Sequence, residues 1–130
     1  MEITGQNSLY DRIGGKDGVM RLLNDFYGRV KLDPVLGPVF ASRIENWEEH
    51  LEKIHRFWSF QTGGPDVYEG GMGRHVGLPV DTHHFDKWID EWTISCRKIL
   101  APEEAGQMVM VALRFRKILE QMIEMNRRAI

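Results

Sequence analysis

The chain has 130 residues, 42% of them hydrophobic and 28% charged, with a formal net charge of −2 at pH 7. This length predicts a single domain over residues 1–130, and the near-neutral charge favours neither nucleic acid nor anionic lipid as a partner. Cys96 is the only cysteine, which excludes an intramolecular disulfide. Because we recognise no signal peptide or membrane-spanning run, we expect a cytoplasmic protein without a membrane partner.

The first third of the chain has helical hydrophobic periodicity. A short turn over residues 8–13 ends at a glycine pair, and we expect Asp17 to cap a helix that runs to Val30. Tyr27 flanks the inward face of this helix, and Asp33 with Pro34 ends it. The apolar residues 36–40 then predict a short turn or a 3₁₀ segment, with Phe40 pointing inward. The inward face of the helix is predicted to consist of Val19, Leu22, Leu23, Phe26 and Val30.

The next predicted helix covers residues 46–61 and carries two histidines. His50 belongs to its apolar stripe, whereas His55 lies about 140° further around the helix, among polar neighbours. A zinc site of the paired-histidine type needs a spacing of four residues, so this spacing of five argues against one. The glycine-rich segment that follows is unsuited to a long helix, and a loop or single turn must carry His75. The apolar stripe consists of Trp47, His50, Leu51, Ile54, Phe57 and Trp58.

Two long helices are predicted for the remainder of the chain. Asp81 or Thr82 caps the first, which runs through Leu100 with Trp88 at the centre of its apolar face, and Pro102 begins the second. The fold class is therefore all-α. The apolar face of the first comprises Phe85, Trp88, Ile89, Trp92, Cys96 and Ile99, and that of the second comprises Met108, Val111, Ala112, Phe115, Leu119 and Met122.

Four residues predict a polar cluster inside an apolar box: Tyr27, His50, His75 and Trp88. A histidine on an apolar stripe is more often a core residue than a ligand. A second histidine on a glycine-rich segment favours a haem pocket, because haem iron is commonly bound by one neutral histidine and faces hydrogen-bond donors on the other side. Periodicity alone does not separate this interpretation from the plain core of a helical bundle. Candidate walls are Phe26, Phe40, Ile54, Phe57, Leu78, Phe85 and Leu113.

Several segments, taken in order, resemble the truncated haemoglobins over nearly the whole chain. That resemblance implies a two-on-two helical sandwich enclosing haem b, with His75 as the iron ligand, Tyr27 as a distal donor and Phe40 packed on the haem. Trp88 is similar to the tryptophan of the second and third groups, and His50 to the histidine of the third, whereas the glycine pairs resemble the first two. We expect group III. The segments are Phe26-Tyr27-Gly28-Arg29-Val30, Pro38-Val39-Phe40, Trp47-Glu48-Glu49-His50-Leu51, Phe57-Trp58, Gly63-Gly64-Pro65, Tyr68-Glu69-Gly70, His75-Val76-Gly77-Leu78-Pro79 and His84-Phe85-Asp86-Lys87-Trp88.

Basic residues near the predicted haem have two interpretations. Lys53, Arg56 and Arg74 either pair with the haem propionates or are simply solvated. We expect His84 near the haem edge and His83 on the surface. Cys96 is interpreted as a buried packing residue.

The resemblance implies reversible binding of O₂, NO or CO at a histidine-bound iron. One alternative is an enzyme that uses the haem for nitric oxide dioxygenation or peroxide turnover and depends on an unidentified reductase. A third hypothesis, from a different class, is a helical interaction module without haem. No catalytic signature of another kind occurs in the sequence, such as a phosphate-binding glycine loop or a nucleophile elbow.

Overall fold

The computed structural model describes residues 8–68 and 80–129, the side chain of residue 129 excepted. Within these ranges the chain forms six α-helices and no strand, which confirms the predicted all-α class. None of the described helices has the length and apolarity needed to cross a bilayer. The helices are α1 (Leu9–Arg12), α2 (Gly15–Val30), α3 (Leu36–Ala41), α4 (Trp47–Gln61), α5 (Thr82–Ile99) and α6 (Pro102–Ala129).

The helix boundaries follow from side chains that cap exposed N–H groups. Asn46 caps α4 by accepting the N–H of Glu49 at 3.1 Å, and Asp81 rather than Thr82 caps α5. The expectation for Asp17 is wrong, because α2 already begins at Gly15. The preceding Gly14 has φ 104°, a left-handed conformation that favours glycine.

The residues after α2 form the six-residue α-helix α3 rather than the expected turn or 3₁₀ segment. Asp33 accepts hydrogen bonds from the N–H groups of Val35 and Leu36 at 2.8 and 2.9 Å, which satisfies the first turn of α3. Lys87 of α5 binds the other carboxylate oxygen of Asp33 at 3.1 Å. These contacts hold α3, and with it Phe40, against the rest of the molecule.

Helix α2 packs against α4 and α5, and α5 packs along α6. Every residue predicted for the inward face of α2 is buried. At the centre of the core, Trp92 of α5 is 1% exposed and stacks on Trp58 of α4 with ring centroids 4.7 Å apart. Its indole N–H donates to the Met108 carbonyl of α6 at 3.3 Å. This stack therefore joins three of the helices.

Gly18 marks a close approach between α2 and the end of α1. A Cβ atom at this position would lie 1.8 Å from the carbonyl oxygen of Ile13, closer than any real contact. Gly28, on the same helix, has open space where its Cβ would lie. Only the first of these two glycines is required by packing.

His55 is buried, contrary to the prediction from its polar neighbours. Its side chain is 2% exposed, and Nε2 lies 3.1 Å from the hydroxyl of Tyr10, which comes from α1. The Nδ1 atom makes no hydrogen bond within the described part of the chain and lies 3.9 Å from Glu52 Oε2. Helix α1 covers this side of α4, and the periodicity of α4 alone contains no information about that contact.

Cys96 has the packing role that the sequence predicts. The residue is fully buried in the core, and burial raises the pKa of its thiol to about 12. The thiol therefore stays protonated at neutral pH.

Candidate functional site

A cavity of about 450 Å³ lies between α3, α4, α5 and α6 and reaches Tyr27 of α2. Its volume is within the range typical of small-molecule and cofactor sites. The predicted wall residues Phe40, Ile54, Phe57 and Phe85 all line it. The sequence did not single out Val80 or Ile123 as wall residues, and these line the cavity together with Val39, Phe115 and Leu119.

Two of the predicted wall residues lie elsewhere. Phe26 packs edge-on against Trp92 with ring centroids 5.4 Å apart, in the core, and is not among the described residues that line the cavity. Leu113 is 39% exposed and is likewise outside the described lining. The apolar period predicts which residues are buried more reliably than which face a cavity.

Tyr27 is buried in the wall of the cavity, with 6% of its surface exposed. Its ring packs edge-on against Phe40, Trp47 and His50, with centroids 5.4–5.6 Å away. Its hydroxyl lies 3.2 Å from His50 Nε2. Burial raises the pKa of Tyr27 well above its ordinary value of 10, so the hydroxyl remains a donor at neutral pH.

The structure brings Tyr27, His50 and Trp88 to one cavity, as predicted. His50 is half-buried on α4, and Trp88 is half-buried on α5, where its ring lies 6.2 Å from that of Phe115. A phenol, an imidazole and an indole therefore border an otherwise largely apolar space. The phenol and the indole donate hydrogen bonds without needing to titrate near neutral pH.

Two basic residues, Lys53 and Arg43, line the same cavity. Lys53 of α4 lines it and lies 4.0 Å from Glu49, while Arg56 points to Glu52 at 3.5 Å and is not among the described lining residues. Arg43 also lines it, and the sequence pattern did not predict this role, because Arg43 lies between helices where no periodic pattern applies.

His84 lines the cavity and His83 is exposed, as expected for the two residues. His84 Nδ1 lies 3.2 Å from the backbone N–H of Asp81 and 3.1 Å from its carboxylate, which completes the capping box of α5. The hydrogen bond with His84 is the main cause that lowers the pKa of Asp81. The cap thus fixes the position of the His84 ring.

His75, Leu78 and Arg74 lie outside the described residues. The described residues that flank this segment, Tyr68 and Val80, both line the cavity. Val80 is held by Arg127, whose guanidinium donates to its carbonyl oxygen at 2.6 Å. No group of three or more histidine, cysteine or acidic residues that would hold a metal occurs among residues 8–68 and 80–129.

The sequence and the fold are both similar to those of known proteins. The profile of the bacterial-like globin family matches residues 8–119. The chain belongs to this family. The globin is 32% identical over 80 residues to the Group 3 truncated hemoglobin ctb of Campylobacter jejuni, covering 57% of this chain and 63% of the relative. It is 31% identical over 98 residues to the Group 2 truncated hemoglobin YjbI of Bacillus subtilis, covering 71% and 67% of the two chains.

The fold is similar to the crystal structure of the group III truncated hemoglobin from Campylobacter jejuni, with a TM-score of 0.79 and 25% sequence identity. The superposition covers 84% of this globin and 91% of the Campylobacter jejuni chain. The oxygen-avid truncated haemoglobin from Bacillus subtilis has a TM-score of 0.73 at 26% identity, covering 85% and 98%. The predicted truncated globin fold is confirmed, and likeness to a group III protein in both sequence and structure supports the predicted subgroup. The sequence alignment with ctb spans slightly less than two thirds of that relative's length.

Membership of the family implies that this globin binds haem. The cavity fits that cofactor chemically. Its aromatic and aliphatic walls suit a flat apolar macrocycle, and Arg43 and Lys53 supply cations suited to carboxylates at its edge.

Proposed function

We propose that this globin holds haem b in the cavity with His75 as the iron ligand, and that it binds O₂ reversibly, as well as NO and CO. The observation that carries the proposal is the buried, protonated hydroxyl of Tyr27 at the wall of an apolar cavity that Trp88 also lines. When bound, haem would supply an iron that takes up diatomic gases.

The walls and rim of the cavity have separate roles in this proposal. Phe40, Ile54, Phe57 and Phe85 exclude water from the macrocycle, together with Leu78. Lys53, Arg43, Arg74 and His84 are the candidates for contact with the propionates. A pairing exposed to solvent contributes little to affinity, so the apolar walls dominate haem retention.

In this proposal, Tyr27 and Trp88 donate hydrogen bonds that stabilise a bound polar gas ligand. A hydrogen bond from a neutral donor would favour bound O₂, which would carry partial negative charge, over CO, which would carry less. The Tyr27 hydroxyl lies 3.2 Å from His50 Nε2. With one tautomer of His50 the hydroxyl donates to this nitrogen, and with the other it accepts from it and keeps its own proton for the ligand. His50, half-buried on α4, is then positioned as a second donor or as a gate for ligand entry.

A redox role is the second candidate, and the pairing of two donors favours it. A charge-assisted hydrogen bond contributes about 1.5–3 kcal/mol, so two donors slow O₂ release by roughly two to four powers of ten. Slow release suits reaction with NO or peroxide better than delivery of O₂. Such turnover requires a reductase that returns the iron to the ferrous state.

The test combines haem content with gas kinetics. We expect His75→Gly to lose haem unless imidazole is added, and Tyr27→Phe and Trp88→Phe each to raise the O₂ dissociation rate by roughly tenfold, with a smaller effect on CO. Tyr10→Phe is the matched control, because it removes another buried hydroxyl that contacts a histidine but does not line the cavity.

Two results would overturn the assignments. A His75→Gly protein with wild-type haem content and absorption spectrum would exclude His75 as the ligand. A Tyr27→Phe/Trp88→Phe double variant that releases O₂ no faster than wild type would show that these donors do not hold the ligand. If both variants behave as expected, NO-dependent oxidation rates then separate gas binding from redox turnover.

A further inference from the structure

A charged cluster joins α2 to α5, and none of its members is among the described residues that line the cavity. Its centre is Arg29, whose Nε lies 2.6 Å from the Glu91 carboxylate and whose Nη1 lies 2.6 Å from Asp25. The third nitrogen, Nη2, donates to the Glu91 backbone carbonyl at 2.7 Å and to the Ser95 hydroxyl at 2.8 Å. One guanidinium thus binds both helices through four acceptors.

The cluster closes into a ring. Ser95 donates its hydroxyl proton to Asp25 at 2.7 Å, so Asp25, Arg29 and Ser95 each contact the other two, and Lys98 adds a contact to Asp25 at 2.8 Å. Burial acts to raise the pKa of Asp25, but hydrogen bonds from Lys98, Ser95 and Arg29 outweigh it and hold the pKa well below 3.8. The carboxylate of Asp25 therefore stays ionised at neutral pH.

The interface between α2 and α5 combines apolar packing with this cluster. Phe26 packs edge-on against Trp92, with ring centroids 5.4 Å apart. Hydrogen bonds are directional and weaken outside a donor–acceptor distance of about 2.7–3.2 Å. The contacts of the Arg29 guanidinium fork with Glu91 and Ser95 therefore add directional constraints on the register of the two helices.

The two proposed donors lie next to this fork in the chain. Tyr27 lies between Asp25 and Arg29 on α2, and Trp88 precedes Glu91 by less than one turn of α5. A slip of one residue between the helices would move the two donors relative to each other by about 1.5 Å. That displacement is about three times the width of the range of donor–acceptor distances over which a hydrogen bond forms. Correct placement of both donors on one small ligand requires that register.

We infer that Arg29 is a positioning residue for gas binding: by clamping α2 to α5 through Glu91 and Ser95, it sets the relative placement of Tyr27 and Trp88. The inference rests on the proposed function of these two donors. Arg29 is not among the described residues that line the cavity. The inference is that it nevertheless affects ligand release, in addition to its effect on stability.

The experiment uses the haem-loaded protein and three readouts. Arg29→Met keeps the apolar stem and removes the fork, and Arg12→Met is the matched control, because Arg12 also links two helices through Glu104 at 3.3 Å and Gln107 at 2.5 Å. We measure the O₂ dissociation rate, the C–O stretching frequency of the CO complex, which reports on nearby donors, and urea unfolding.

We expect Arg29→Met to release O₂ roughly three- to tenfold faster, the equivalent of losing one ordinary hydrogen bond, and to shift the C–O frequency. Arg12→Met should lower stability without changing either quantity. Ser95→Ala, which removes one corner of the ring, gives a milder test should Arg29→Met fail to fold, with an expected shift in the same direction.

The inference is refuted if Arg29→Met or Ser95→Ala lowers the free energy of unfolding but leaves O₂ release and the C–O frequency as they are in Arg12→Met. Tyr27→Phe, measured in parallel, separates the proposed donor function from the positioning role of Arg29. If Tyr27→Phe accelerates release and the Arg29 and Ser95 variants do not, only the positioning role fails. If Tyr27→Phe has no effect either, the proposed donor function fails and the inference fails with it.

Discussion

The buried pair of Tyr10 and His55 permits a sharp test of how α1 is held to α4. The Tyr10 hydroxyl lies 3.1 Å from His55 Nε2, and the Tyr10 N–H also donates to the Thr62 carbonyl at 2.9 Å. Burial raises the pKa of Tyr10, so the hydroxyl is neutral at neutral pH and pairs with the imidazole. Tyr10→Phe removes that partner and leaves the ring in place.

The expected cost exceeds that of an average hydrogen bond. A typical bond contributes about 0.5–1.5 kcal/mol to stability, but leaving a buried polar group without a partner costs about 1–3 kcal/mol. His55 is 2% exposed and its Nδ1 already lacks a hydrogen-bond partner among the described residues, so Tyr10→Phe leaves Nε2 in the same condition. We therefore expect Tyr10→Phe to destabilise the protein by about 1–3 kcal/mol.

A double-mutant cycle completes the test. Replacing both groups by apolar ones, in Tyr10→Phe/His55→Leu, removes the unsatisfied atoms, so the double variant should be no less stable than Tyr10→Phe alone. Urea unfolding at two haem concentrations separates the stability of the fold from haem binding. The reasoning is refuted if Tyr10→Phe lies within about 0.5 kcal/mol of wild type, or if the double variant loses more than the sum of the single variants.

Two further predictions concern α2. Gly18→Ala should destabilise the protein by about 1–3 kcal/mol, because the new Cβ would overlap the Ile13 carbonyl. Gly28→Ala should be neutral or stabilising by up to about 1 kcal/mol, because the Cβ at this position meets open space. Equal urea midpoints for the two variants would contradict this prediction. The lowered pKa of Asp25 means that its ionised form stabilises the fold above pH 3.8 and that this contribution is lost as the pH falls below 3.8 towards the folded pKa. Asp25→Asn should therefore be less stable than wild type at neutral pH, and the difference should shrink in acid; a constant difference down to the acid transition would refute it.

The sequence predicted the long helices because each carries an apolar stripe at the helical period, and α4, α5 and α6 also begin at a capping residue or a proline. The apolar stripes of α4 and α5 predicted the cavity walls at Ile54, Phe57 and Phe85. Phe40 lies in a segment that the sequence predicted as a turn, and the resemblance added its role as a haem contact. The gas-facing set of Tyr27, His50 and Trp88 does meet at one cavity, whereas the roles of these residues and of His75 remain predictions.

What the sequence did not predict depends on contacts between distant residues. His55 is buried because Tyr10, 45 residues earlier, covers it. Arg29 resembles an ordinary surface partner of Asp25 four residues away, yet its strongest contacts also include Glu91, 62 residues later. Arg43 lies between helices and has no periodic neighbours to mark it. Helical periodicity specifies which face of one helix is apolar, and it does not specify which other helix covers that face.

The stacked indoles of Trp58 and Trp92 mean that the cavity and the core share a wall. Trp58 lines the cavity, and behind it Trp92 reaches the backbone of α6 at Met108, so one side of the cavity is the outermost layer of the core. A substitution that reshapes this wall to admit a bulkier ligand must also repack the interface of α5 and α6. Selection for ligand size and selection for stability therefore act on the same side chains, and an engineered change of ligand preference at this wall will need compensating changes in the core.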